Sequence, residues 1–435
     1  MIHKLKTILS KKEIFSIYLF FILSFVTMAL ETAGIGLIIP FIQSFTSENV
    51  NENFIKILNF LNFYPDTKKE IILSLIYVML FIYTTKAIYL TYFSYAQSKL
   101  LGTLRVSLSD KLYKIYLNKP YQFHLDNNSS KLIRNIDEIN LVVALFQYLI
   151  LFFTETIVMI GISTFVIIYE PVGSLIVIFF LGTFGFIFFK NIQSKIKKWG
   201  EIRQIHSGLR IKFLREGFSS IKDIKLLNRI DEILHKYTSN NAIINQCEIK
   251  KTFTESLPRL WLEWLAILGF ILLIIVMISL NKDFAYIVSL LGLFATAAFR
   301  LMPSLTRIMN SIQKIIYNRP AINSIYKEFE DFKKSVSQDK DLENISFSHQ
   351  VNFKNLSFKY RDSNKFILNG LNFTIKSGAT IGIIGESGTG KTTLINILLG
   401  LLQPTKGEIL VDGKKIKNNL KGWQKMIGYV PQDVY

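Results

Sequence analysis

The sequence predicts a membrane all-α domain of six spanning helices followed by a smaller, incomplete α/β domain. Three observations carry that prediction. Uncharged stretches of bilayer length recur before residue 300, Lys and Arg collect in alternate connections, and after Ile345 the pattern changes to short apolar runs punctuated by glycine. Composition agrees with it. Half of the 435 residues are hydrophobic and only 19% are charged, against roughly 25% in soluble domains. Such a chain is too apolar to be disordered and poorly suited to being wholly soluble.

A bilayer core of about 30 Å needs about 20 apolar residues in a helix. Residues 14–30 are uncharged, and after Glu31 the run resumes over 32–47. A lone Lys86 divides 71–85 from 87–98, and a lone Glu155 divides 139–154 from 156–169. The stretches 171–189, 264–281 and 285–299 complete the set. Spans are therefore expected near 15–43, 71–96, 139–168, 171–190, 258–280 and 284–303. The first is too long, and lacks the small-residue cleavage site, for a removable signal peptide.

Cations give the orientation. The amino terminus carries Lys4, Lys6, Lys11 and Lys12, residues 99–137 carry seven cations, and 190–259 carry fifteen. The three other connections share Lys56, Lys68, Lys69 and Lys282. By the positive-inside rule, both termini and the two long connections are cytoplasmic, and the turns at 169–171 and 281–283 face the other side. Topology thus accounts for the net charge of +19, and no nucleic-acid partner is expected. A single cysteine, Cys247, excludes an intrachain disulfide and a Cys-based metal site. The five histidines show no ligand spacing.

The long connections are patterned. Leu100, Leu104, Leu108, Leu112, Ile115 and Tyr116 recur at helical spacing, as do Ile202, Ile205, Leu209, Phe213 and Phe218. The spanning helices should therefore run on past the membrane. Their tips, 119–123 and 217–225, break the pattern and are candidate docking elements for a partner domain. The chain stays amphipathic to about Lys334 and is polar over 335–344. This divides it into a transmembrane domain at 1–335, a linker at 336–345 and a second domain at 346–435.

In the second domain, 380–384 reads as an apolar strand. It leads into Gly385-Glu386-Ser387-Gly388-Thr389-Gly390-Lys391-Thr392-Thr393 and then the apolar helix 394–399. Strand, glycine-rich loop and helix in that order form a phosphate-binding loop. Glycine lets the backbone N–H groups and the helix N-terminus close on phosphate, Lys391 adds a positive charge, and Thr392 offers a hydroxyl to Mg²⁺.

Tyr360 lies about 30 residues upstream of Lys391, and Gly407 to Gly413 and Ile427 to Gln432 follow downstream in order. With these motifs in place the chain resembles, over its whole length, an ATP-binding cassette (ABC) exporter half-transporter: six helices fused ahead of one cassette. Residues 132–137 resemble that family's first intracellular loop. The resemblance implies ATP and Mg²⁺ as ligands. Tyr360 would stack on adenine, 385–393 would hold phosphate, Thr392 would hold metal, and Gln432 would contact Mg²⁺ and the attacking water. It implies a homodimer as well, because each ATP is covered by the partner subunit. Taken alone, Tyr360 reads more often as a strand aromatic in a small core, and its place in the motif order is what favours the stacking role. The family's Leu-Ser-Gly-Gly signature, its Asp/Glu pair ending an apolar strand and its switch histidine do not occur in the 435 residues. The cassette is accordingly expected to be incomplete, a fragment or truncated product that binds nucleotide without turning it over.

Residues 31–42, 257–263 and 299–308 resemble the bacterial flippase that carries lipid-linked oligosaccharides across the inner membrane. This implies a multi-pass protein of the bacterial inner membrane with a lipid-linked substrate. Exporters of lipid A, drugs or peptides are the alternatives within the class, and a membrane-anchored nucleotide-binding regulator is the alternative outside it. Lys86, Arg259 and Arg300 lie in or beside the second, fifth and sixth spans, where a cation is costly unless it faces a cavity or a partner. They read either as interfacial anchors or as a basic patch for a pyrophosphate headgroup.

Overall fold

The computed structural model describes residues 7–37, 41, 67–169, 171–279, 284–336, 346–360 and 363–431. Glu170 of the expected turn at 169–171 lies outside these residues, as do the turn at 281–283, most of the linker, most of the end of the first span, and Gln432.

Nine helices precede the sheet among the described residues: α1 (Lys11–Gly36), α2 (Lys68–Leu117), α3 (Tyr121–Asp126), α4 (Ser129–Asp137), α5 (Ile139–Tyr169), α6 (Pro171–Ser219), α7 (Ile221–Leu226), α8 (Ile230–Ser279) and α9 (Phe284–Val336). Two of the long helices start where the sequence writes a reciprocal cap. The Ser10 hydroxyl accepts from Glu13 N–H at 3.3 Å while Glu13 accepts from Ser10 N–H at 2.6 Å. Thr67 and Glu70 repeat the arrangement at 3.3 and 3.4 Å. Each cap satisfies two N–H groups that lack helical partners.

Five described helices are long and apolar enough to cross a membrane, and α9 carries the sixth expected span at its start. Helices α2, α6, α8 and α9 run for 50, 49, 50 and 53 residues. That is about 75 Å each, more than twice the bilayer core. The predicted continuation beyond the membrane is therefore present. Val158, Ile162, Val166, Leu273, Met277, Phe294 and Ala297 form an apolar core joining α5, α8 and α9. Beyond the spans, Leu104, Leu108, Leu112, Ile115 and Tyr116 are buried, whereas Ile205 and Phe218 of the second periodic stripe are exposed.

The chain divides into two compact units. One joins residues 1–113 to 133–330, and the other joins 114–132 to 331–435. The tip of the first long connection, which includes α3, thus belongs to the cassette's unit.

The cassette is built on β1 (Gln350–Phe358), β2 (Leu368–Lys376), β3 (Lys406–Val411) and β4 (Lys414–Lys415), in the order β2-β1-β3-β4 and antiparallel throughout. Helix α10 (Lys391–Leu398) follows the glycine-rich loop, and α11 (Leu420–Lys425) follows β4. Phe353, Leu356, Phe358, Ile397, Ile409, Val411 and Trp423 form the core, with the Trp423 indole donating to the Leu398 carbonyl at 2.6 Å.

One expectation is corrected. Residues 380–384 are not a strand: they lie outside this sheet, with Ile381, Ile383 and Ile384 exposed. A strand exists only where a neighbour takes its backbone N–H and C=O groups, and no described strand lies beside this run.

Candidate functional site: a phosphate loop and a cationic groove

Gly388 and Gly390 adopt φ of +87° and +96°, a left-handed backbone that glycine enters without strain. They turn the loop sharply into α10. Gly390 caps that helix with no side-chain hydrogen bond, so its first N–H groups remain available to an anion. The Lys391 ammonium bends back over the loop and donates to the carbonyls of Gly385 and Glu386, each at 2.6 Å. A cation held across a ring of backbone amides, with the Thr392 hydroxyl one residue on, suits a nucleotide phosphate and its magnesium ion. The residues present fit that group.

Tyr360 is half-buried at the edge of the cassette core. Its ring meets Phe358 edge-on at 5.0 Å, and its hydroxyl pairs with Thr393 at 3.2 Å. It thus contributes to the core and stands beside the helix that carries Lys391 and Thr392.

The membrane-domain cations are arranged differently from a simple patch. Lys86 and Arg300 meet at one buried carboxylate, Glu31, which is 4% exposed in its side chain. Lys86 donates to Oε2 at 2.7 Å and Arg300 to Oε1 at 2.8 Å. Arg259 does not join them: it is 75% exposed and pairs with Glu263 one turn along α8 at 2.9 Å. Arg259 and Arg300 do line a common groove, together with Glu263, Phe299, Pro303 and Arg307.

Sequence reasoning missed four members of this site: Glu31, Glu155, Ser304 and Arg307. Arg307 donates to Glu155 Oε1 at 2.6 Å, and the buried Ser304 hydroxyl donates to Oε2 at 2.7 Å. Glu155 reads in the sequence only as an interruption of an apolar run, and Glu31 as such an interruption and as the first residue of the flippase-like segment 31–42. The available signal was their cost: an ionisable group inside a span calls for a partner.

Residues 17–304 match the family described as the ABC transporter transmembrane region, and residues 368–435 match the ABC transporter domain. The chain belongs to the ABC transporter family. Over 349 residues, 77% of this ABC transporter chain and 55% of the relative, it is 25% identical to the ATP-dependent lipid A-core flippase of Methylococcus capsulatus. Over 162 residues it is 36% identical to multidrug resistance protein 1 of Plasmodium falciparum, covering 35% of this chain and 11% of that one. The chain thus spans little more than half the length of the flippase and a small part of the other relative. A bacterial Atm1-family ABC exporter with ATP bound has the same fold, with a TM-score of 0.69 at 14% identity, covering 97% of this chain and 71% of that one.

Proposed function

We propose that this chain is half of an ATP-driven exporter that works as a homodimer in the bacterial inner membrane, with both termini cytoplasmic. Its substrate would be an amphipathic lipid bearing phosphate, a lipid-linked oligosaccharide first of all, moved by alternating access. The observation that carries this reading is the pairing of the two sites within one chain: a phosphate loop that fits nucleotide, and a groove where Arg259, Arg300 and Arg307 converge in a membrane domain. A neutral drug gains nothing from three guanidinium groups, whereas phosphate oxygens accept from each of them. The flippase relative's name favours a lipid A-type substrate as the second reading, which the same groove chemistry accommodates.

Magnesium-bound ATP would supply the driving reaction. In this chain the loop 385–393 would bind its phosphates, Lys391 would neutralise them, Thr392 would hold the metal, and Gln432 would complete that shell. Tyr360 would stack on the base, turning its ring face outward while the edge stays on Phe358. The exposed apolar tip at Phe218, Ile221, Leu226 and Leu227 supports a second copy, whose cassette would cover it.

The test is ATP-dependent translocation of a fluorescent lipid-linked oligosaccharide in proteoliposomes by the complete gene product. Lys391→Ala should abolish it, and Arg259→Ala or Arg300→Ala should slow it at least tenfold, which is about 1.4 kcal/mol of lost interaction. Equal rates in both arginine variants would remove the lipid-phosphate reading. Nucleotide binding by Tyr360→Ala and Tyr360→Trp separates stacking from packing, because a stacked base is worth about 1–3 kcal/mol and survives in Trp alone.

A further inference from the structure

The two buried carboxylates of the membrane domain share one design. Each uses both oxygens, each holds a cation of α9, and each keeps a second partner besides: Glu31 has Lys86 of α2, and Glu155 has Ser304. Arg300 and Arg307 are seven residues apart, two turns and about 10 Å along one face of α9. Pro303 lies between them, and all three residues line the groove. Arg300 grips Glu31 through one terminal nitrogen only, while its Nε is buried with no hydrogen-bond partner. A guanidinium that uses one arm and hides another has capacity left for a second acceptor.

We propose that Glu31 and Glu155 are internal counter-anions, which a phosphate-bearing headgroup displaces from Arg300 and Arg307, so that substrate binding itself releases α9 from α1 and α5. This rests on the reading of the groove given above. Exchange is easier at Glu31, which retains the Lys86 cation when Arg300 leaves, than at Glu155, which retains only the Ser304 hydroxyl and so holds Arg307 more firmly until an anion replaces it. A diphosphate offers more charge and more acceptor oxygens than one carboxylate, and it engages Arg in bidentate fashion. A ligand of low charge would leave both pairs closed, so the carboxylates also set a threshold for which headgroups enter. The bistable element is α9, held on either side of Pro303 by pairs that open together.

Farnesyl pyrophosphate serves as the probe and farnesol as its uncharged control. Binding to the full chain in detergent is read calorimetrically and by fluorescence of Trp261 and Trp264 on α8. Glu31→Gln keeps the shape and removes the competing charge, so it should bind farnesyl pyrophosphate about tenfold tighter than the parent. Glu155→Gln should act in the same direction, and Arg300→Ala should weaken binding at least tenfold. Farnesol binding should respond to none of them. If Arg300→Ala weakens binding while both glutamine variants bind like the parent or worse, the counter-anion role is overturned and the groove reading stands. If the parent, Arg300→Ala and the farnesol control all behave alike, the groove does not read phosphate and both ideas fall. Should Glu31→Gln fail to fold, Glu155→Gln decides alone. Glu31→Asp is the variant least disruptive to the fold: it withdraws the charge by one methylene and should also tighten binding.

Discussion

The two long connections between spans are written with the same helical periodicity and are covered to different extents. In the first, Leu104, Leu108 and Leu112 are at most 1% exposed, and the tip at 114–132 belongs to the cassette's unit. In the second, Phe218, Leu226 and Leu227 are 76%, 74% and 66% exposed. An apolar stripe in sequence thus announces that something will cover it without saying whether the cover lies in the same chain. The first stripe finds its cover at home. The second, on the proposal above, waits for another copy.

This contrast can be broken most severely in the buried stripe. Leu108→Ala removes a fully enclosed side chain and should cost about 2–5 kcal/mol in denaturant or thermal unfolding of the purified chain. Next comes Gly200 on α6, where an added Cβ would run into the Tyr317 carbonyl of α9. Gly200→Ala should cost about 1–3 kcal/mol, showing that the second connection is tightly packed at its root.

A smaller, pH-dependent effect is expected at Glu13, which ties α1 to the first connection through Ser107 at 2.7 Å and Lys111 at 3.1 Å. Burial raises its carboxyl, but the Ser10 N–H, the Ser107 and Ser10 hydroxyls and the Lys111 ammonium outweigh that and lower it from 4.5 to about 2. A depressed folded value means the contribution is complete above about pH 4.5 and fades as pH falls toward 2. With solvent screening it should amount to less than about 1 kcal/mol. Glu13→Gln should flatten the stability profile over that window. Smallest of all, Leu226→Ser at the open tip should shift unfolding by no more than about 0.5 kcal/mol. In the complete transporter, however, it should depress translocation. A large loss of stability there would mean that the tip is covered within its own chain.

Much of this was legible beforehand, for reasons that differ by site. Spans at 139–168 and 171–190 follow from the scarcity of charge, with Glu155 alone inside the first, and the phosphate loop follows from glycine spacing next to Lys391, because both are local properties of consecutive residues. The strand expected at 380–384 was not realised, since an extended run becomes a strand only through pairing with residues remote in sequence. The groove was half legible. Lys86 and Arg300 could be singled out as costly cations, but their meeting at Glu31 spans 55 and 269 residues of chain. No periodicity encodes such a meeting. Arg259 looked equivalent to them by depth and proved to be paired on its own helix.

The prolines of the long helices divide them into two mechanical kinds. Helix α2 contains none and α6 has one only at its first residue, while α8 contains Pro258 and α9 contains Pro303 and Pro320. A proline supplies no N–H, so the carbonyls of Thr254, Phe299 and Ile316 each lose their partner one turn further on. Two helices are therefore stiff rods, and two are jointed. A tilt of about 5° at one end of a rod about 75 Å long displaces the other end by roughly 6 Å. The joints at Pro258 and Pro303 adjoin Arg259 and Arg300, so bending of α8 and α9 is concentrated at the depth of the groove. Amide exchange at 259–262 and 304–307 should outpace that of the proline-free turns of α2 at equal burial. Equal protection would show the joints to be rigid.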